Sequence, residues 1–248
     1  MFWRLEAWIR EQDFNPGGLG LLINPFYFAR KGLRQHIAAL APSVRGKILD
    51  VGCGSKPYQK FFDASEYIGL DMEGRNTHAD RHYDGKVFPF STGEFDAVLT
   101  SQVLEHVFNP DEFLSEINRV LRDGGVLLLT VPFVWDEHEQ PFDYARYSSF
   151  GLRHLLEHYG FEIIEHRKSV DDVRVIFQMV NTYIYKKTVT GSRNLNLFLT
   201  VILMAPFNLC GVLFAKILPP NGDLYLDNIV LARKRKCFQQ SSQMGNNR

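Results

Sequence analysis

The chain has 248 residues, 45% hydrophobic and 23% charged, the proportions of an ordinary globular protein, so disordered, collagen-like and fibrous classes are excluded. Lys plus Arg and Asp plus Glu both total 28, which leaves no net charge and no global field to draw in a nucleic acid. Cys53, Cys210 and Cys237 are odd in number and far apart, which suits a reducing compartment, and no CxxC pair points to zinc.

The opening MFWRLEAWIREQDF interleaves charges with aromatics and lacks a secretory run, so a cytoplasmic address is expected. Phe2, Leu5, Trp8 and Ile9 share one helical face, and NPFYFARKGLRQHIAAL predicts a second helix, making residues 1–44 a helical extension. From residue 45 to about 168, apolar strand-like runs alternate with helical patterns, the signature of a parallel α/β sheet. The strands are KILDVG (47–52), YIGLD (67–71), FDAVLTS (95–101) and GVLLLTVPF (125–133). PDEFLSEINRVLRDGG spaces Phe113, Ile117, Val120 and Leu121 as a crossover helix that opens at Pro110 and stops at Gly124 and Gly125. SSFGLRHLLEHYG predicts a helix with a Ser cap that ends at Gly160, and FEIIEHRKSV a further strand.

Residues 171–221 then interrupt the alternation before DNIVLARK (227–234) returns as a last strand, so 45–170 and 222–236 form one domain around an insertion. Within the insertion, Leu197 to Ala215 carries no charge over nineteen positions, long enough to span a membrane. Both flanks belong to one sheet and must lie on the same side of any membrane. Pro206 and Asn208 also stand in the middle, so two short apolar helices are expected, a hairpin across 195–218 that serves as lid, dimer face or peripheral membrane foot. The polar residues 237–248 predict a disordered tail.

Ile48 to Ser55 reads as a strand running into a glycine turn, where the backbone at Gly52 and Gly54 can approach a nucleotide-like ligand. Seventeen residues after Gly54 the next strand ends in Asp71, where a carboxylate can accept both ribose hydroxyls. Dinucleotides and S-adenosylmethionine (SAM) both use such a pair. A dinucleotide turn wants a third glycine where this chain has Pro57, which favours SAM over a nicotinamide oxidoreductase.

LDVGCGSKPY (49–58), YIGLDME (67–73), YDGKVFPFSTGEFDAVLTSQVLEHV (83–107), RVLRDGGVLLLTVP (119–132) and GLRHLLEHYGFEII (151–164) together resemble the class I SAM-dependent methyltransferases, in particular the type-11 small-molecule family. The resemblance implies an α/β, Rossmann-like seven-stranded sheet with DNIVLARK antiparallel between strands five and six. It further implies that Asp50, Gly52 and Gly54 line the methionine part of SAM, that Asp71 holds the ribose and that Met72 lies against adenine. Asp84, preceding Gly85, matches a carboxylate that binds the adenine amino group, and Ser101 and Gln102 would lie beneath the cofactor near the sulfonium. Asp84 as a mere turn residue and Asp50 as a helix cap are the alternatives.

Methyl transfer to a hydroxyl needs a base, and His106 is the first candidate, with His138 the second. Alternatively, Glu105 and His106 orient their loop. On a helical turn Gln102, Glu105 and His106 would share a face able to present a metal, but the neutral amide at Gln102 is a poor ligand and no metal is expected. HEQPFDYARYSSFGL (138–152) is a polar and aromatic loop above the sheet's carboxyl edge, which nominates Glu139, Asp143, Tyr144, Arg146 and Tyr147 for substrate contact, unless Asp143 and Arg146 merely pair and order the loop. The basic run at 233–236 reads as a solvated strand end, so no nucleic-acid partner is expected. The expected activity is methylation, chiefly on oxygen, of a small or lipid- or glycan-linked acceptor. The alternative is a non-catalytic SAM-binding protein that works through its apolar insertion.

Overall fold

The computed structural model describes residues 12–74 and 78–236. The face expected at Phe2, Leu5, Trp8 and Ile9 and the tail expected from residue 237 lie outside the described residues. Helix α1 (Tyr27–Leu40) leads into β1 (Gly46–Val51), followed by β2 (Ala64–Met72), β3 (Arg81–Tyr83) and β4 (Phe95–Ser101). Then come α2 (Pro110–Val120), β5 (Leu121–Pro132), α3 (Ser149–His158) and β6 (Phe161–Ser169). Helices α4 (Arg174–Thr188) and α5 (Arg193–Phe214) form the insertion, and β7 (Asp227–Lys234) closes the sheet.

The seven strands run β3-β2-β1-β4-β5-β7-β6. The first five in that order are parallel, and β7 is antiparallel to both neighbours. Alternation along β1 divides the core: Leu49 and Val51 meet Leu114 and Ile117 of α2, while Ile48 meets Leu33 and Ile37 of α1. The carboxyl ends of β1, β2, β4 and β5 therefore share one edge, where open α/β sheets bind ligands.

Three local expectations are corrected. Strand β3 escapes the sequence because three residues at an exposed edge, with only Tyr83 buried, carry no periodicity. Helix α2 ends at Val120 instead of Gly124, since Leu121 already pairs with Phe95 of β4 and the ladder then shifts register before Ala97 meets Val126. Gly124, at φ 76°, makes the bend in that irregular stretch.

The third correction concerns residues 197–215, which are not two helices but part of the single 22-residue α5. Its turn at Thr200–Met204 is π-helical, and this wider turn absorbs the hydrogen bond that Pro206 cannot donate. Asn208 does not break the helix either: fully buried, it donates to the carbonyls of Leu21 (2.9 Å) and Asn24 (3.2 Å) and accepts from Asn181 of α4 (2.9 Å). The apolar hairpin exists, but its arms are α4 and α5.

Candidate functional site

Past β1 the chain turns through Gly52 (φ 68°) and Gly54 (φ 49°). A side chain at Gly52 would meet Val103 at 2.4 Å, whereas nothing lies within 4 Å of a side chain built at Gly54, so the turn is packed beneath and open above. The amides of Gly52 and Cys53 both donate to the Leu70 carbonyl, tying the turn to β2. At the end of β2 the Asp71 carboxylate accepts from the Gly54 amide (3.3 Å) and the Met72 amide (2.9 Å), which holds it beside the turn. Asp50 caps no helix. It is buried, accepts from the Tyr67 hydroxyl at 2.7 Å, and burial pushes its pKa up to about 7.

Beside the turn opens a cavity of about 460 Å³ whose wall includes Asp50, Gly52, Gly54, Ser101, Gln102, His106, His138 and Glu139 from the expected set. Asp71, Met72, Asp84 and Gly85 are not on this wall. Met72, the last residue of β2, and Gly85, past the end of β3, stand together, 3.3 Å separating the Met72 methyl from a side chain built at Gly85. Asp84 accepts from the Lys86 amide, as a turn residue does. Ser101 meets the Thr130 hydroxyl at 2.9 Å, and Gln102, at φ 58°, donates its side-chain amide to the same oxygen.

Residues 138–147 wrap over the 104–106 turn. The Tyr144 and Ala145 amides donate to the Glu105 carbonyl, His106 Nδ1 meets the Phe142 carbonyl at 2.7 Å, and its Nε2 lies 3.8 Å from Glu105 Oε1. Four residues expected at the acceptor are absent from the cavity wall. Arg146 grips Asp143 with two short bonds (2.6 and 2.7 Å) and donates to the Asp136 carbonyl, so this pair orders the loop. Burial works against the Asp143 carboxylate, yet Arg146 and the His138 amide outweigh it and hold its pKa at about 2. Tyr144 packs edge-on against exposed Phe108, and the Tyr147 carbonyl accepts from Asn228.

The same wrapping brings His138 to His106, ring centroids 4.6 Å apart, and burial is the main reason His138 has a lowered pKa. Beneath them Glu105 is fully buried, its carboxylate oxygens without a hydrogen bond though Oε1 lies 3.8 Å from His106 Nε2, and burial pushes its pKa up to about 8. Glu105, His106 and His138 bring ligand atoms within 4.8 Å of one another, the residue types that hold a divalent cation. The face expected from Gln102, Glu105 and His106 does not form, because residues 104–106 are a 3₁₀ turn and Gln102 points to Thr130.

Several wall residues carried no sequence signal: Phe14, Phe26 and Arg30 from the N-terminal extension, Trp135, Tyr185 of α4, and Asp227 at the start of β7. Phe26 meets Tyr185 edge-on at 4.9 Å and Trp135 at 6.0 Å. Each comes from a different stretch of chain, and only folding assembles them.

The sheet order, the glycine turn and the strand-end carboxylate define a SAM-binding class I methyltransferase frame of the type-11 kind. The open side of Gly54 and the position of Asp71 fit that cofactor. Residues 26–166, more than half of the chain, match the family model described as a methyltransferase domain, and the chain belongs to that family. A protein of Mycolicibacterium smegmatis named a probable S-adenosylmethionine-dependent methyltransferase is 32% identical over 133 residues, 47% of this chain and 52% of that protein. A fatty-acid O-methyltransferase of the same organism is 35% identical over 111 residues, 38% of this chain and 40% of that protein. The chain thus spans about half the length of the curated relatives it matches, or less. Among solved structures, a phosphoethanolamine N-methyltransferase of Haemonchus contortus, in complex with S-adenosylhomocysteine, superposes with a TM-score of 0.54 at 17% identity. That superposition covers 93% of this chain and 58% of the other and speaks to the fold alone.

Proposed function

We propose that this protein transfers a methyl group from SAM to an oxygen of a small-molecule or lipid- or glycan-linked acceptor, bound in the aromatic half of the cavity. One observation carries the reading. The cavity adjoins a second, of about 690 Å³, with which it shares Phe14, Phe26, Arg30 and Tyr185, and which ends against Leu197 and Thr200 of α5. Two adjoining cavities of this kind suit an acceptor whose reactive end lies near Ser101 and whose apolar chain runs toward the insertion. The fatty-acid O-methyltransferase among its relatives supports an apolar acceptor.

The sulfonium of bound SAM supplies an already activated methyl group. The protein's task is to align the acceptor and remove its proton. His106 and His138 stand on the cavity wall for that purpose; Nδ1 of His106 is held by the Phe142 carbonyl, and its Nε2, 3.8 Å from the Glu105 carboxylate, is the nitrogen that would take the proton. Asp71 takes the ribose hydroxyls, and Met72, Asp84 and Gly85 the adenine.

A cytoplasmic protein with α5 resting on the membrane surface fits the same route. Residues 173–222 hold five basic side chains and no acidic one, in a chain that is neutral as a whole.

The test is transfer of labelled methyl from SAM to a panel of fatty acids, lipid-linked sugars and quinone-like phenols, with Asp71→Ala as control. Labelled ester or ether in wild type alone is expected. Tight SAM binding with no transfer to any of the panel would sink the enzymatic reading and leave the non-catalytic SAM-binding alternative.

A further inference from the structure

The α-carboxylate of SAM has no partner among the groups considered so far. The glycine turn offers backbone, and Asp71 stands with the ribose end. A carboxylate leaving water for a half-enclosed cavity needs a cation or several hydrogen-bond donors, and a cation serves it best. The cavity wall holds two permanent ones, Arg30 and Lys186. Lys186 is engaged elsewhere, with the Asp136 carboxylate at 2.6 Å and the Glu137 carbonyl.

Arg30 is differently placed. Helix α1 carries it to the same wall as Gly52, Cys53, Gly54 and Ser55, a wall that does not include Asp71. Its guanidinium lies over the Phe14 ring, 4.6 Å from the centroid, so one face is shielded from water and its plane is set. Among the described residues no carboxylate reaches it within ion-pairing distance; its polar neighbour is the Tyr58 hydroxyl, and Asp227 acts on it only through space. Burial pushes the pKa of Asp227 up to about 7, which weakens its claim on the guanidinium.

We propose that Arg30 is the carboxylate clamp of the cofactor site, its planar fork taking the α-carboxylate of SAM in a bidentate pair while Phe14 holds the fork flat. The N-terminal extension then completes the cofactor site instead of merely covering the domain. This assignment rests on the cofactor reading and deepens it.

Calorimetric titration with two probes tests it: S-adenosylhomocysteine, which carries the amino-acid tail, and 5′-methylthioadenosine, which keeps the nucleoside thioether and lacks that tail. Arg30→Ala and Arg30→Gln are expected to weaken S-adenosylhomocysteine roughly ten- to a hundredfold, the usual worth of a charge-assisted pair. Methylthioadenosine affinity should stay within about twofold of wild type, which also shows that the variants fold. Arg30→Lys should recover part of the loss, as a point charge without the fork. Unchanged S-adenosylhomocysteine affinity in Arg30→Ala, or an equal loss for both probes, would overturn the clamp while leaving the cofactor reading intact. Wild type binding neither probe would bring down the cofactor reading and the clamp with it.

Discussion

Asp227 shows how much a single buried group contributes to the behaviour of the site. It is nearly fully buried where β7 begins, on the cavity wall, and one of its oxygens lacks a hydrogen-bond partner. Burial raises its pKa to about 7, so the folded protein binds this proton far more tightly than the unfolded chain does. The stability it contributes is therefore complete below about pH 4 and is lost as pH rises through about 7. Asp227→Asn cannot ionise. Relative to wild type the variant should gain a few kcal/mol as pH rises from about 4 to 7, read by denaturant unfolding at each pH. A gap between the two proteins that stays constant with pH would contradict this. His106 and His138 lie at the same scale: each was legible as a candidate base, but their contact was not, because it depends on a loop held by Arg146 and Asp143.

The helices of the insertion act as a unit whose polar seam matters as much as its apolar face. Asn208 satisfies two N-terminal carbonyls and Asn181 at once, so Asn208→Ala strands two buried groups and a part-buried one. A loss of about 2–4 kcal/mol is expected by thermal or chemical unfolding, large for a surface-packed helix. On the opposite side, Phe198 and Leu213 are 59% and 56% exposed. Placing a negative charge there, as Phe198→Glu with Leu213→Glu, should leave the melting temperature within a few degrees and abolish co-flotation with vesicles that contain anionic lipid. Flotation equal to wild type would remove α5 from the membrane. The two-helix expectation failed here for a definite reason: Pro206 and Asn208 are helix breakers by local propensity, and a π turn and three tertiary hydrogen bonds override that propensity.

As a whole molecule, the protein is a seven-stranded sheet that presents one ligand edge, roofed by its own N-terminal extension and insertion. A cofactor that binds only the folded state at a hundredfold excess over Kd adds about 2.7 kcal/mol. SAM and S-adenosylhomocysteine should thus raise the melting temperature by roughly 5–10 °C, NAD should not, and Asp71→Ala should lose the shift. An equal shift with NAD would point to a different nucleotide. What the amino-acid sequence determined by itself is the part written in local pattern: apolar strand runs, capped helices, the Gly52–Gly54 turn and the acid that ends the next strand. These signals are short-range, because a strand's alternation and a glycine's positive φ are decided within a few residues. What only the tertiary structure decided is the far wall of the site, where Phe14, Phe26, Arg30, Tyr185 and Asp227 converge from stretches more than two hundred residues apart. No local rule couples such positions; they meet because packing α1 and α4 beside the sheet edge buries their apolar faces, and the side chains on the inner rim follow.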